Sequence, residues 1–292
     1  MSNPSFPEIK LPKEQKKLAA ERAAFLLACW VTPSLLCFLA ATVLMGLNDD
    51  NRVRNDWRSV AYGFGFGIVS LAALWGILGP FRLFTRVPLA VLLAILASGS
   101  MAACLLLVNR GSQPEIVLLV GGAGILQWLG LVLLLTPARL LSGLRVGIPG
   151  TERPLGNQAV QFGIRQLLIW TTGVALTLGA ARLIFWNLGL NTALWDTLAR
   201  DGATVGLLLA FNMLLACPVA WALLHQKHLG VRMAIAALIV GLATLAEFPA
   251  FSLLLRFGPP DSSVFWWING AGTLCLGVNL LIVRLCGYRL VR

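Results

Sequence analysis

The sequence predicts an all-α, polytopic integral membrane protein with eight transmembrane helices. Three observations point to that class. Long apolar stretches, most of about twenty residues or more, divide the chain almost end to end. Of the 292 residues, 58% are hydrophobic and 12% are charged, and the mean hydropathy is +0.81. A bilayer has an apolar core ~30 Å thick, which takes ~20 helical residues to cross. Barrel strands are excluded because they run ~10 residues and alternate apolar with polar, whereas these stretches are longer and apolar on all sides.

The spans are read as 23–47, 59–79, 87–108, 115–136, 165–187, 203–224, 231–255 and 264–284. Asn48-Asp49-Asp50-Asn51 closes the first, Gly79-Pro80 the second and Asn109-Arg110-Gly111 the third, and Gly258-Pro259-Pro260-Asp261 separates the last two. Breakers of this kind fall where the backbone leaves lipid and meets water. The second span is the weakest helix by propensity because Gly63, Gly65 and Gly67 interrupt it. The first is expected to be a retained helix: its apolar run exceeds a signal-peptide core and no small-residue cleavage site follows.

Charge orients the set. The formal net charge is +11. Sixteen of the 23 basic residues fall in one set of alternate segments: Lys10, Lys13, Lys16, Lys17, Arg22, Arg82, Arg86, Arg139, Arg145, Arg153, Arg165, Lys227, Arg232, Arg284, Arg289 and Arg292. Seven fall in the other: Arg52, Arg54, Arg58, Arg110, Arg182, Arg200 and Arg256. Basic residues stay on the cytoplasmic side, so both termini are expected there. The placement makes the positive balance a topology signal and argues against a nucleic-acid partner; the expected partner is the lipid bilayer. Trp57, Trp186, Trp195, Trp266 and Trp267 fall near the predicted outer ends and Trp30, Trp75, Trp170 and Trp221 near the inner ends, as aromatic belts do. Residues 1–22 form a cytoplasmic lead-in in which Glu14, Lys17 and Glu21 are helix-spaced opposite charges. A short interfacial helix is the plain expectation there.

The two halves echo each other. Arg86 and Arg110 flank the third span, Arg232 and Arg256 flank the seventh, and both members are displaced by 146 residues. The same displacement pairs Trp75 with Trp221 and Pro114 with Pro260. After one gap, Arg139-Leu-Leu-Ser-Gly143-Leu-Arg145 resembles Arg284-Leu-Cys-Gly287-Tyr-Arg289. A tandem parallel 4+4 repeat follows, with halves at 23–145 and 165–292 joined by a cytoplasmic linker at 146–164. Paired transporter halves can have this form, and so can a duplicated structural bundle.

Few residues inside the spans could carry chemistry. Glu247 is the carboxylate set well within an apolar run, and Arg182 lies at similar depth in the fifth span. A charge at a helix centre costs ~2.5–3.5 kcal/mol on insertion scales, so Glu247 and Arg182 are expected to pair in the bundle interior. The plainer version is a packing ion pair, or an arginine that snorkels to the headgroups; the functional one is an ion or proton site. Gln127, Asn212, Asn269 and Asn279 are polar residues within spans, suited to interhelical hydrogen bonds or to lining a path. Gly63-Phe-Gly-Phe-Gly67 is a small-residue packing face, not a nucleotide loop, since no strand precedes it and no Lys-Ser/Thr follows. His225 and His228, three apart, are expected on one helical face at the membrane edge. Two histidines fall short of the three or four ligands of a zinc site, so no metal or cofactor is expected. The six cysteines, at 29, 37, 104, 217, 275 and 286, contain no Cys-x-x-Cys and read as packing residues. No Ser/His/Asp set or paired carboxylates appear, so no enzyme is expected.

Phe162-Gly-Ile-Arg-Gln-Leu-Leu-Ile-Trp-Thr-Thr172, with the closing Arg284-Leu-Cys-Gly-Tyr-Arg-Leu290, resembles segments of uncharacterised bacterial multi-pass membrane proteins in which a Phe-x-Ile-Arg-x-Leu-Leu run opens a transmembrane helix. The resemblance covers about 25 residues of this sequence. It implies a bacterial source, hence the cytoplasmic membrane, and no particular activity. The expected role is structural or interaction-based; the alternative is a small-solute or ion transporter or channel component with Glu247 and Arg182 in its interior.

Overall fold

The structure, a computed structural model, describes residues 51–79, 83–108, 114–142, 145–147, 191–225, 228–254 and 262–291, together with positions 39 and 43. Six long helices account for most of them: α1 (Asn51–Leu78), α2 (Leu83–Val108), α3 (Pro114–Ser142), α4 (Asn191–Leu224), α5 (Leu229–Leu254) and α6 (Ser262–Leu285). All six are long and apolar enough to cross a membrane. Two three-residue strands, β1 (Arg145–Gly147) and β2 (Arg289–Val291), follow α3 and α6. The first and fifth predicted spans, the lead-in at 1–22 and nearly all of the linker at 146–164 lie outside the described residues, apart from Leu39, Val43, Val146 and Gly147.

The six described helices match the remaining predicted spans and correct two of their edges. Asn51 was expected in the breaker that closes the first span, with the second span starting at 59, yet it opens α1, two turns before that apolar run. α4 starts at Asn191, well ahead of the expected 203. Polar residues at these two starts do not interrupt the helix; hydropathy marks where lipid begins, and backbone hydrogen bonding continues past it.

Among the described helices, α1 is the central one. Of its apolar window 78% is buried, against 17% for α5. It packs against α6, α2 and α3, while α4 packs against α5, α6 and α3. The glycines that weaken α1 by propensity explain its position. A Cβ at Gly63 would run into the backbone oxygen of Ile268, and a Cβ at Gly67 would lie 2.7 Å from the oxygen of Gly272 and 2.9 Å from Cβ of Cys275. Bare backbone at these two positions lets α1 and α6 approach closely, as small-residue faces do in membranes.

The C-terminal ends of α1, α3, α4 and α6 gather at one end of the bundle, where β1 and β2 form an antiparallel ribbon: Arg145 pairs with Val291, Val146 with Leu290 and Gly147 with Arg289. The last carbonyls of a helix have no partner within it and carry partial negative charge. Arginines supply the missing donors. Arg139 donates to the Ile77 carbonyl and Arg86 to the Gly79 carbonyl at the end of α1. Arg284 donates to the Leu223 and His225 carbonyls at the end of α4, both at 2.6 Å. Arg232 lies over the Trp221 ring, 4.6 Å from its centroid. α6 ends differently, with Gly287 at φ +89°. The Gly287 amide reaches the Arg284 carbonyl at 3.0 Å and the Tyr288 amide the Val283 carbonyl at 3.3 Å. These two bonds make a Schellman cap, which needs a left-handed residue at this position.

Candidate functional site: a polar seam between α5 and α6

α5 and α6 form a helical hairpin, and Glu247 and Asn269 lie eleven residues on either side of Gly258. Antiparallel helices therefore bring them to one level. Asn269 donates through Nδ2 to Glu247 Oε2 at 2.6 Å and to Thr244 Oγ1 at 3.1 Å. The Thr244 hydroxyl in turn donates to the Val240 carbonyl at 2.9 Å, within its own helix. All three side chains are buried: Glu247 is 0% exposed, Asn269 1% and Thr244 2%. One turn toward the far end, the Phe251 and Phe265 rings meet at a tilt of 53° with centroids 4.8 Å apart. Among the described residues, Glu247 Oε1 and Asn269 Oδ1 are buried acceptors without a donor.

Arg182, the expected partner of Glu247, lies outside the described residues. The four polar residues of the spans divide. Asn269 joins helices through Glu247. Gln127 joins them too, donating from α3 to Ser70 Oγ at 2.7 Å and to the Phe66 carbonyl at 3.2 Å on α1. Asn212 donates to the Leu208 carbonyl at 3.0 Å and Asn279 to the Cys275 carbonyl at 2.7 Å, each one turn back in its own helix.

The histidine expectation needs correction. His225 follows the last residue of α4 and His228 precedes α5 with a φ of 54°, so the two rings do not share a helical face. The end of one helix at Leu224 and the start of the next at Leu229 override the three-residue spacing. Cys217 is a free thiol, and no group of three or more metal-ligating side chains occurs among the described residues.

Sequence reasoning missed the Glu247–Asn269 contact and the part played by Thr244. The signal was present: equal distance from the Gly-Pro-Pro turn places both residues at one depth, and Thr244 lies three residues before Glu247 on the same face of α5.

Fold and site together define a class: an almost wholly helical protein whose described helices could cross a membrane, with a closed polar seam in its interior. No protein-family model matches the chain, and neither a curated protein nor a solved structure matches it.

Proposed function

We propose that the chain is a multi-pass protein of the bacterial cytoplasmic membrane with a structural or interaction role, not an enzyme and not a conduit. The observation that carries this is the closure of the seam: the one described carboxylate deep in a span is wholly buried and hydrogen-bonded within a helix pair. Asn212, one of the four polar residues suited to lining a path, donates to its own helix and not toward Glu247.

A tandem 4+4 repeat with both termini cytoplasmic is part of the proposal. Its support is positional. α2 and α5 are both 26 residues long, and their first residues, Leu83 and Leu229, stand 146 apart. α1 and α4 end at Leu78 and Leu224, again 146 apart. The arginines of the aligned half-ends, Arg139 and Arg284, donate to carbonyls at Ile77 and Leu223, which share that displacement. With Arg145 matched to Arg289, the ribbon pairs are symmetric about Val146 and Leu290, as a local two-fold axis along the membrane normal would make them.

Single cysteines at 212, 243 and 247 in a cysteine-free background provide the test. A membrane-impermeant thiol reagent is expected to leave all three unmodified in intact membranes. Labelling of 212 and 247 together would replace this proposal with a water-filled path and a transport role.

A further inference from the structure

The seam between α5 and α6 has a deficit of one kind. An amide side chain has two N–H donors and a hydroxyl has one. Both Asn269 hydrogens are used, on Glu247 and Thr244, and the Thr244 hydrogen is used on Val240. Two acceptors remain, Glu247 Oε1 and Asn269 Oδ1, on side chains 0% and 1% exposed. A group that added another acceptor, an anion or a carbonyl, would worsen the imbalance. The seam calls for a donor hydrogen carrying positive charge.

We propose that the seam is a binding site for one proton, held on Glu247 as a carboxylic acid with Asn269 and Thr244 as its hydrogen-bonding frame. The balance is simple: a proton adds to Oε1, forms one O–H bond and turns one of two surplus acceptors into a donor. The carboxyl becomes neutral where an unpaired charge costs most. Asn269 keeps its bond to Oε2 in both states.

The surroundings support a proton over a fixed counter-ion among the described residues. No described cation pairs with Glu247. On α5 the basic residue toward the ribbon is Arg232, and on α6 it is Arg284; each lies fifteen residues from its seam residue, about 22 Å along a helix. On α1, which packs on α6 with Gly63 against Ile268, the titratable groups from this level outward are Tyr62, Arg58, Asp56 and Arg54. α4, packed on both seam helices, carries Asp196, Arg200 and Asp201 near its start and Cys217 farther along; α6 itself carries Cys275.

This inference rests on the closed-bundle proposal, but its test does not share a readout with it. Thiol labelling reports water access; infrared spectroscopy reports the proton. The experiment is a difference spectrum between the wild type and Glu247→Gln in lipid nanodiscs at neutral pH. The expected result is a carboxylic-acid carbonyl band in the wild type that Glu247→Gln lacks and that exchange of sodium for potassium leaves unchanged. Gln has the shape of the neutral acid, so the variant should melt at the wild-type temperature. A carboxylate signature in place of the acid band would overturn the proposal. If that carboxylate becomes an acid in Arg182→Gln, its counter-ion is Arg182; if it responds to sodium, the ligand is a metal cation; either contradicts a proton site. A Glu247→Gln variant that fails to fold while the wild type folds would also overturn it, since the seam would then require the charged form.

Discussion

Met101 on α2 and Glu247 on α5 each stand eighteen residues after the first residue of a 26-residue helix, and both are 0% exposed. Their surroundings share little. Met101 fills a slot left by two glycines: a Cβ at Gly65 or at Gly124 would meet its side chain. At the 146-residue displacement those two positions become Phe211 and Gly270, and nothing lies within 4 Å of a Cβ at Gly270. Glu247 has instead the Asn269 amide in reach, whose second hydrogen is held by the Thr244 hydroxyl. The difference points to the donor that a neighbouring helix brings, Asn269 from α6, as what accommodates the carboxyl here. The depth of the position does not decide the matter.

The polar bonds are distributed in the same unequal way. In the α1–α3 unit Gln127 ties α3 to α1, and in the α4–α6 unit Asn269 ties α6 to α5. On the proposed repeat, the copies keep the backbone plan and the arginine caps and have changed which helix pair carries the polar bond.

The comparison can be tested by substitution. The largest effect is expected from Gly63→Leu, which drives a side chain into the Ile268 carbonyl. Overpacking costs ~1–3 kcal/mol and occasionally more; backbone on the far side leaves little to relax, so a loss beyond that range is expected, read as a large fall in melting temperature in detergent. Next is Met101→Glu, which places a carboxyl in the glycine slot. A loss of ~2.5–3.5 kcal/mol is expected if it remains charged, seen as poor accumulation in the membrane. Wild-type accumulation and melting of this variant would break the claim that the local frame decides. The smallest is Gln127→Leu, which removes the bonds to Ser70 and to the Phe66 carbonyl; interhelical bonds of this kind contribute ~0.6–2 kcal/mol, and the Phe66 carbonyl and Ser70 hydroxyl are left to their own helix. A modest fall in melting temperature without loss of folding would sharpen the contrast with Met101→Glu.

Much of this architecture is legible in the residues. The helices are set by apolar length, and the Gly63–Gly67 face by the spacing of two small residues on one side of α1. The helix extension over 51–58 is not, because Asn, Asp and Arg there look like a loop to hydropathy while the backbone continues its own bonding. The ribbon is not, because three residues are too few for an alternation pattern. The arginine caps are half legible. Their charges mark one end of the bundle, but which carbonyls they meet depends on where α1 and α4 stop. At the seam the sequence reveals the buried acid and the buried amide separately, and their contact only through the hairpin that equalises their depth.

On the proposed repeat, two copies of one helical plan enter the membrane in the same direction and meet at the ribbon end. A cysteine pair at Val146 and Leu290 tests it most directly, in an otherwise cysteine-free chain with a protease site introduced into the 148–164 segment. Directly opposed strand residues have Cα atoms ~4.5–5.5 Å apart, within disulfide range. Oxidation in native membranes followed by cleavage is predicted to leave one full-length band that reduction splits into two. Two separate fragments after oxidation, or an equally efficient crosslink between 146 and a cysteine at Ser262 at the opposite end of α6, would contradict the account.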